Sequence, residues 1–520
     1  MADIVIINPR FEISYWGMEN ALPFLGKRAN LPVASLPLLA ALTPPGHTVT
    51  LIDENVEPID FDRVARADVV GVTGMSVQRF RMKEILAELK RRGAFTVVGG
   101  PLVTVSEDYF EGLTDVVFIG EAEQTWPRFL EEWAAGSHGI RYEQAEKSDM
   151  TLVPTPRFDL LKMRHYAFGS VQFSRGCPFQ CEFCDIIVTF GRRPRIKTSG
   201  QVIAELDALR AQGVRIAFVV DDNLIGNKKA IKEVLLDVVA WQQKHGYPLS
   251  LFTEASIDLA DDAELMGIMS DANIIAVFVG IESPNEASLR ETKKFQNVRA
   301  GGTILEKVHR VQDAGMDVWC GMILGFDNDD ASIFDAQTEF LTDARIANSM
   351  TGMLYAIPKT PLHERLDREG RLDHADEPEF GTNVIPLKMS REELRDGYVG
   401  VMSRLYTAEA YFGRLDDLII KGKLNMGRGR TRYWKRHPLN FLYWQGLWTV
   451  QSIGLYVRLI SGVPDASLRR EYRARVWNLV RRRWDPGLWL YYLIKVAMHY
   501  HAHAMARQMT TGNRQIVNSY

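Results

Sequence analysis

Two long stretches of the chain alternate short apolar runs with amphipathic helical patterns. Five apolar runs lie in the first 135 residues, and six more lie between residues 166 and 370. Several runs are almost continuous in Val, Ile and other apolar residues, which is typical of strands buried on both faces. Strands that alternate with helices are typical of parallel sheets. The sequence therefore predicts two successive α/β domains.

The alternation breaks twice, which divides the chain into four predicted segments. Residues 1–135 are predicted to form a doubly wound, Rossmann-like parallel sheet. Gly and Pro residues mark residues 136–165 as a linker. Residues 166–370 contain six strand–helix units, which we expect to curl into a partial (β/α)6 barrel of the TIM type, although the pattern also permits an open sheet. Residues 371–520 are predicted to be a mainly helical C-terminal region.

Composition excludes several classes of protein. Hydrophobic residues make up 46% of the chain and charged residues 24%, which excludes a disordered chain, a collagen-like fibre and a multi-span membrane protein. The 4 cysteines are too few for a disulfide scaffold. The first ten residues are typical of a strand and lack the basic start and the cleavage site of a signal peptide. We therefore expect a cytoplasmic protein.

Three of the four cysteines lie within eight residues. Cys177, Cys181 and Cys184 have the spacing C-x3-C-x2-C and follow the first strand of the second α/β block. Iron–sulfur clusters need several thiolates from a short loop, and three ligands leave one iron of a four-iron cluster open. Zinc is one alternative, although structural zinc sites usually have four ligands, and three packed buried thiols are another. Cys320 lies in a later strand and is expected to be a buried packing residue.

This spacing, with an aromatic residue before the last cysteine, resembles that of the radical S-adenosylmethionine (SAM) superfamily. The resemblance implies a [4Fe–4S] cluster on the three cysteines, with SAM chelated at the open iron. An electron from an external donor of the flavodoxin or ferredoxin type would split SAM into methionine and a 5′-deoxyadenosyl radical. The acidic residues at strand ends can accept hydrogen bonds from SAM, although helix N-capping is the alternative. The predicted SAM-binding residues are Phe183, Asp222, Glu254, Glu282 and Ile323.

The strand-end loops of the first domain are rich in glycine, which allows a bulky ligand to approach the backbone closely. No G-x-G-x-x-G follows the first strand, which disfavours a dinucleotide. The domain resembles the cobalamin-binding domain that precedes the barrel in one class of radical SAM enzymes, and a domain retained only for structure is the alternative. Neither His47 nor His138 lies in an Asp-x-His-x-x-Gly motif, so we expect no histidine ligand to cobalt. The cobalamin-binding residues that the resemblance implies are Asp53, Asn55, Thr73, Gly74, Met75, Gly99, Gly100, Gly120 and Glu121.

The last hundred residues differ in charge from the rest of the chain. Residues 421–520 contain 18 Lys and Arg against 3 acidic residues, a net charge of +15, and 6 of the 11 Trp. An uncharged, aromatic-rich segment at 437–457 is flanked by basic clusters, which is typical of a helix at a membrane interface. A buried core helix is the alternative. No nucleic-acid recognition motif accompanies these residues, so we expect no nucleic-acid partner.

Taken together, the chain resembles the cobalamin-dependent radical SAM family, which includes the bacterial hopanoid methylases. The resemblance implies a C-methyltransferase that uses a 5′-deoxyadenosyl radical on an unactivated carbon. Its substrate would be an apolar molecule such as a lipid, isoprenoid or hopanoid, or a secondary metabolite. Radical oxidation or ring formation without methyl transfer is one alternative, and a non-catalytic corrinoid or iron–sulfur binding protein is another. The enzyme is expected in the cytoplasm, with possible peripheral contact at the cytoplasmic face of the inner membrane, and no catalytic side chain is assigned.

Overall fold

The N-terminal domain is built on a six-stranded parallel sheet. A computed structural model describes residues 1–299 and 301–512 of the chain. The apolar runs form the strands, and the order β2-β1-β3-β4-β5-β6 is that of a doubly wound sheet. This confirms the predicted fold class. The strands are β1 (Asp3–Asn8), β2 (Thr48–Asp53), β3 (Val69–Thr73), β4 (Thr96–Gly99), β5 (Val116–Ile119) and β6 (Arg141–Glu143).

Strand β6 was not predicted, because it lies within residues 136–165. Only its central residue, Tyr142, is buried, while its two charged neighbours are exposed. The Tyr142 ring stacks on Phe118 with centroids 5.2 Å apart, and this contact attaches β6 to the edge of the sheet. The helices of this domain are α1 (Leu22–Leu25), α2 (Ser35–Leu42), α3 (Phe61–Val64), α4 (Arg79–Arg91), α5 (Pro101–Val105) and α6 (Thr125–Ala134).

A second parallel sheet forms the predicted partial barrel. Its six strands follow the order β14-β13-β12-β11-β10-β7, which is their order along the chain, and β7 and β14 form the two edges. A small antiparallel pair, β8 with β9, lies beside it. The strands are β7 (Gly169–Val171), β8 (Ser174–Arg175), β9 (Arg195–Ile196), β10 (Ile216–Val219), β11 (Ser250–Glu254), β12 (Ile274–Glu282), β13 (Asp317–Leu324) and β14 (Ser349–Met353).

The first predicted strand of this block, residues 170–176, is divided in the structure into β7 and β8. The carboxylate of Asp221 accepts hydrogen bonds from the N–H groups of Phe173 and Ser174, both at 2.8 Å. These bonds draw the chain away from the parallel ladder after Val171, and β8 then pairs with β9 instead. The bonds join residues almost fifty positions apart, which explains why the local pattern did not predict the break.

The helices between the barrel strands begin at local capping signals. Thr198 and Gln201, for example, form a reciprocal capping box at the start of α8. This helix covers residues 199–211, the range that the helical pattern of the sequence predicts. The helices of this part are α7 (Ile186–Thr189), α8 (Ser199–Ala211), α9 (Lys228–Lys244), α10 (Ala263–Asp271), α11 (Glu286–Glu291), α12 (Phe295–Val298), α13 (Ile304–Asp313), α14 (Ile333–Asp343) and α15 (Pro361–Arg368).

The C-terminal region is helical, as predicted. Its helices are α16 (Arg391–Leu405), α17 (Ala408–Asp416), α18 (Arg428–Arg436), α19 (Pro438–Gly462), α20 (Ala466–Arg482) and α21 (Pro486–Thr510). Helices α19 and α21 each have 25 residues and pack against each other. Within residues 1–299 and 301–512, no helix combines the length and the apolar composition that a membrane crossing requires.

Candidate active site

The three clustered cysteines lie on a loop at the carboxyl end of the barrel strands. Cys177 comes two residues after β8, and Cys181 and Cys184 follow before α7 begins. Gly176 turns the chain into this loop with a φ of 94°. A Cβ at this position would lie 2.8 Å from the carbonyl oxygen of Arg193, so only glycine fits the turn.

Backbone hydrogen bonds fix the middle of the cysteine loop. The N–H of Glu182 donates to the carbonyl oxygen of Thr292 at 3.0 Å, and the carbonyl oxygen of Glu182 accepts from the N–H of Leu362 at 3.0 Å. The loop is therefore held between the segment after α11 and the start of α15. This anchoring sets the positions of the neighbouring cysteines.

Two side-chain amides are directed at the sulfur atoms. Asn223 Nδ2 lies 3.9 Å from the Sγ of Cys177, and Gln296 Nε2 lies 3.5 Å from the Sγ of Cys181. Burial raises the pKa of the Cys177 and Cys184 thiols, and the nearby Cys181 raises the pKa of both further. Amide donors stabilise thiolates, the form that binds iron, so this donor set fits a cluster held by three thiolates. Among the described residues, no three Cys, His, Asp or Glu side chains lie close enough together to hold a single metal ion.

Three acidic side chains at strand ends share one electrostatic environment. Asp222 lies beyond the end of β10, and Glu254 and Glu282 end β11 and β12. Burial raises the pKa of Asp222 to about 6 and that of Glu254 to about 8, and the charges of Asp222 and Glu282 also raise the pKa of Glu254. Carboxyl groups crowded in this way favour a cationic ligand, and SAM carries a permanent sulfonium charge.

Other residues cap the helices that follow these strands. Side chains of Asn227, Asp262 and Asn285 accept the capping hydrogen bonds at α9, α10 and α11. Asp222 instead accepts a hydrogen bond from the N–H of Gly176 at 2.6 Å, next to the first cysteine. The N-capping alternative for Asp222, Glu254 and Glu282 is therefore not what the structure contains.

Lys294 is a site residue that the sequence did not indicate. Its Nζ lies 2.7 Å from Oε1 of Glu282, and the two side chains are only 11% and 7% exposed. Burial alone would lower the pKa of Lys294, but the charges of Glu282 and of Cys181 and Cys184 outweigh burial and raise it. Lys294 thus connects the acidic group to the cysteine loop. It lies in a polar loop that has no recognisable motif, so no local signal could have identified it.

Glu282 has a strained backbone at the end of β12. Its φ is 66°, and the pairing of β12 with β13 shifts register at this residue. A non-glycine residue in this conformation costs about 1–3 kcal/mol and is often found at functional sites. The conformation brings the carboxylate of Glu282 to Lys294. A Cβ at Gly280 would lie 2.3 Å from Glu282 Oε1, so the ion pair also requires a glycine there.

Phe183 and Ile323 provide the apolar side of the candidate SAM site. Ile323 is 3% exposed in β13 and belongs to a small apolar cluster, and Phe183 packs against that cluster. The Phe183 ring lies 6.1 Å from that of Phe326 and 5.7 Å from Lys294 Nζ. Cys320 is fully buried in the same strand, with its Sγ 3.5 Å from Ser349 Oγ. This burial confirms the packing role expected for Cys320.

Seven of the nine predicted cobalamin residues border one open cavity. The cavity lies between the carboxyl ends of β3–β5 and the barrel, where Gln172, Arg175 and Phe190 form the opposite wall. No histidine borders it among the described residues. The seven residues are Thr73, Gly74, Met75, Gly99, Gly100, Gly120 and Glu121.

Glycines keep this cavity open, as a cradle for a flat and bulky ligand requires. Gly100 has a φ of 105°, and a Cβ there would lie 2.6 Å from Thr73 Oγ1. Gly120 has a φ of 78°, and its N–H donates to Thr104 Oγ1 at 3.0 Å. The surface therefore presents backbone rather than side chains to a ligand, which fits cobalamin.

Asp53 and Asn55 lie outside the cavity lining. Asp53 is 4% exposed, and its Oδ1 accepts hydrogen bonds from the side-chain amides of Asn8 at 3.1 Å and Asn55 at 2.7 Å. Its Oδ2 accepts from the hydroxyl of Tyr166 at 2.7 Å. These contacts join the end of β2 to the segment before β7. Both residues have a structural role in this arrangement, and their cobalamin contact stays a prediction.

Glu121 connects the cobalamin cradle to the cysteine loop. Its Oε1 lies 2.7 Å from Nη2 of Arg195 and 3.2 Å from Nη1 of Arg175, and Glu123 lies 2.5 Å from the same Arg175. Burial would raise the pKa of Glu121, but hydrogen bonds from Arg195 and Ser148 and the two arginine charges hold it below its usual value. A buried ion-pair network therefore fixes the two candidate cofactor sites relative to each other.

Models of known families match the N-terminal domain, the barrel and the C-terminal region of the chain. A model of the B12 binding domain matches residues 30–130, and a model of the radical SAM superfamily matches residues 171–336. A domain of unknown function, DUF4070, matches residues 360–515. The first two matches cover the candidate cobalamin cavity and the cysteine loop, respectively.

Similar proteins extend these matches over the whole chain. The hopanoid C-2 methylase of Rhodopseudomonas palustris is 30% identical over 99% of this chain and 95% of its own length. The chain belongs to the cobalamin-dependent radical SAM family. An uncharacterized methyltransferase of Synechocystis sp. is 39% identical over 79% of this chain and 77% of its own length. The fold is similar to that of the cobalamin-dependent SAM radical enzyme OxsB, with a TM-score of 0.60, 14% identity, and coverage of 99% of this chain and 82% of OxsB.

Family membership makes this chain an enzyme of the cobalamin-dependent radical SAM methyltransferases. Its cofactors are those of the family, namely a [4Fe–4S] cluster, SAM and cobalamin. Which side chains hold each cofactor stays a prediction based on the geometry above. Cys177, Cys181 and Cys184 are the candidate cluster ligands, and the glycine-lined cavity is the candidate cobalamin site.

Proposed function

We propose that this enzyme methylates an unactivated carbon of an apolar substrate by means of a 5′-deoxyadenosyl radical. The bound cofactors supply the radical and the methyl group. The chain's own residues bind them, orient them and exclude water. The observation that carries the proposal is the ion-pair network of Glu121 with Arg175 and Arg195, which fixes the cobalamin cradle against the cysteine loop. Radical formation and methyl delivery at one carbon require this fixed geometry.

At the SAM end, the acidic group and the apolar group have different tasks. We assign Asp222, Glu254 and Glu282 to the polar and cationic parts of SAM, because their carboxyl groups converge beside the cysteine loop. Ile323 and Phe183 offer an apolar surface for the adenine ring. Lys294 holds Glu282 in place and keeps its charge compensated until the ligand arrives.

We propose that a large cavity at the same end of the barrel holds the substrate. It has a volume of about 1600 Å³ and lies between the N-terminal domain, the carboxyl end of β14 and α16. Tyr109, Tyr355 and Ile357 line it, and the ion pair of Arg79 with Asp376, at 3.0 Å, closes one side. Drug-sized ligands occupy cavities of about 300–1000 Å³, so this space suits a larger molecule.

An apolar substrate is supported by the C-terminal region and by one relative. The exposed side of α19 carries a row of large apolar residues spaced three, four or eight positions apart, which extends about 27 Å along the helix. The hopanoid C-2 methylase, whose name gives a hopanoid as its substrate, is similar along the whole chain. We therefore propose peripheral contact with a membrane. Separately, we propose a flavodoxin or ferredoxin as the electron donor for the cluster. The row consists of Leu439, Leu442, Val450, Ile453 and Val457, each more than half exposed.

Anaerobic turnover tests the reaction. The reconstituted enzyme is supplied with SAM bearing a deuterated methyl group, a reductant, cobalamin and a hopanoid. We expect 5′-deoxyadenosine, S-adenosylhomocysteine and a labelled hopanoid. Deoxyadenosine without S-adenosylhomocysteine would support the oxidation or ring-forming alternative, and neither product would support a binding role. Cys184→Ala should abolish both products, whereas the matched Cys320→Ala should retain them.

Sedimentation with liposomes tests the membrane contact. The full-length protein is expected to sediment with anionic liposomes, and high salt should weaken this binding only in part, because apolar insertion resists salt. The double variant Leu442→Asp, Ile453→Asp should stay in the supernatant. Binding of this variant at the wild-type level would exclude α19 as the contact surface.

A further inference from the structure

A second cavity lies at the opposite end of the barrel from the cysteine loop. It has a volume of about 1040 Å³ and is enclosed by α18, α19 and the start of α21. Arg215, just before β10, and Ser250, the first residue of β11, line its floor. The cavity therefore lies at the amino ends of the strands, a strand length away from the candidate active site, and the proposed reaction does not use it.

Aromatic side chains form the walls of this cavity. Trp434, Trp444 and Trp448 line it, with ring centroids 5.3 Å apart for Trp434 and Trp448 and 5.5 Å apart for Trp444 and Trp448. Phe441 and Leu488 extend the apolar surface. Such walls suit the apolar body of a ligand.

The charges around the cavity are almost all positive. Seven Lys and Arg residues line it, and among the described residues none of the seven lies within 4.0 Å of a carboxylate. The one acidic residue in the lining, Asp485, accepts hydrogen bonds from the N–H groups of Gly487 and Leu488 at the start of α21. The cavity thus combines apolar walls with an excess of positive charge. The seven cations are Lys27, Arg164, Arg215, Arg430, Lys435, Arg458 and Arg483.

Arg430 is the most constrained of these cations. Its guanidinium lies 5.1 Å from the ring centroid of Trp434 and 4.8 Å from that of Trp448. Its Nη1 donates a 3.4 Å hydrogen bond to Ser250 Oγ, whereas its buried Nε finds no partner in the part of the chain that the structure describes. The indole N–H of Trp434, which is only 5% exposed, likewise has no partner among those residues. Buried donors without acceptors are costly, so this end of the cavity is suited to an anionic acceptor.

We propose that this cavity binds one anionic amphiphile. Its phosphate or carboxylate would accept hydrogen bonds from Arg430, with Arg215 nearby, and its apolar body would lie between the indole rings. A guanidinium matches both anions because its donors form a fork. The exposed row of α19 lies on the same helix that covers the cavity, so the ligand could come from a membrane or from free fatty acid. Its distance from the cysteine loop distinguishes it from the methyl acceptor.

Native mass spectrometry of the full-length reconstituted enzyme tests this site. The probes are short-chain phosphatidylglycerol, phosphatidylcholine with the same chains, octanoate and inorganic phosphate. We expect one phosphatidylglycerol per chain, with phosphatidylcholine binding at least tenfold more weakly. Arg430→Met should weaken phosphatidylglycerol binding at least tenfold. Arg436→Met, which removes an exposed arginine from the same helix, should leave it unchanged.

The other probes show whether the ligand is a membrane lipid or a free fatty acid, and several results would overturn the proposal. Octanoate binding to the same site would point to a free fatty acid, and binding of phosphatidylglycerol alone would point to a membrane lipid. Equal binding of the two phospholipids, unchanged binding in Arg430→Met, or inorganic phosphate binding as tightly as phosphatidylglycerol would each overturn it. If Arg430→Met does not fold, Arg215→Met provides the same comparison at the floor of the cavity. These readouts do not depend on methyl transfer, so they stand even if the proposed function fails.

Discussion

The raised pKa of Glu254 predicts that SAM binding releases a proton from the protein. At a pKa of about 8, set by burial and then by the charges of Asp222, Asp221 and Glu282, only about one tenth of Glu254 is ionised at pH 7. The sulfonium charge of SAM favours the ionised carboxylate. Binding near pH 7 should therefore release about 0.9 proton from this side chain. An anionic iron–sulfur cluster nearby would raise the pKa further and would not reduce this number.

The same pKa sets the size of the pH effect on affinity. If SAM binds the ionised form of Glu254, its Kd should fall about 25-fold between pH 6.5 and pH 8.5, which corresponds to about 1.9 kcal/mol. Above about pH 9 the Kd should be constant. The affinity rises with pH because Glu254 is mostly protonated in the SAM-free enzyme near neutral pH. A carboxyl group with a raised pKa must lose its proton before it can pair with a cation.

Anaerobic calorimetry in buffers of different ionisation enthalpy measures the protons released. The amino group of SAM titrates in the same range, so the informative value is the difference between wild type and Glu254→Gln. That difference should be close to one proton at pH 7. Glu264→Gln, which changes an exposed acid on α10, should behave like wild type. A wild-type Kd that is constant from pH 6.5 to pH 8.5, or a full pH dependence in Glu254→Gln, would refute the reasoning.

Three further predictions concern the cluster, the buried ion pair and cobalamin. Changing any one of the three loop cysteines to Ala should abolish the absorption near ~400 nm and all SAM cleavage, whereas Cys320→Ala should keep both. Lys294→Met should lower the free energy of unfolding, measured by urea denaturation, by about 3–5 kcal/mol, because it leaves the buried Glu282 carboxylate without its ion-pair partner. The double variant Lys294→Met, Glu282→Leu should recover most of this loss. The stabilisation that the Lys294–Glu282 ion pair provides should be constant from about pH 6 to pH 9, because the pKa of Lys294 is raised and only a higher pH removes its charge. Electron paramagnetic resonance of bound cob(II)alamin should show no nitrogen splitting from a histidine, because no histidine among the described residues lines the cavity. Such splitting would contradict the prediction.

The fold could be predicted largely from local patterns. Helix α8 matched its predicted range because its start depends on Thr198 and Gln201, three residues apart. The division of the first barrel strand depends on Asp221, almost fifty residues away, and could not be read from a local window. Strand β6 depends on one buried tyrosine between two charged residues, which is too little signal for a periodicity argument.

Some residues of the candidate site could likewise be predicted from the sequence, and others could not. Residues at strand ends were identifiable because parallel strands bring their carboxyl ends to one edge, which placed Glu254 and Glu282 near the cysteine loop. The same rule selected Asp53, whose carboxylate is instead bonded to Tyr166, 113 residues away. Lys294 and Arg430 were missed for the opposite reason, because each lies in a polar segment and its role depends on contacts with residues far along the chain, Glu282 for Lys294 and Ser250 and Trp448 for Arg430. Position along a strand therefore identifies candidates, and long-range contacts decide between ligand binding and structure.

The basic C-terminal region shows why net charge alone does not identify a partner. Lys495 is fully buried with Asp317 at 2.6 Å, and Arg475 lies 2.9 Å from Asp416. Asp317 begins β13, so Lys495 attaches α21 to the barrel. Asp416 ends α17, so Arg475 joins two helices of the C-terminal region, α20 and α17. Within residues 1–299 and 301–512, the cations around the aromatic cavity have no such acidic partners. The +15 charge therefore has at least two separate tasks, one in internal docking and one that leaves positive charge for an external anion. Only the second can contribute to lipid binding, so salt should affect that binding less than the sequence charge implies.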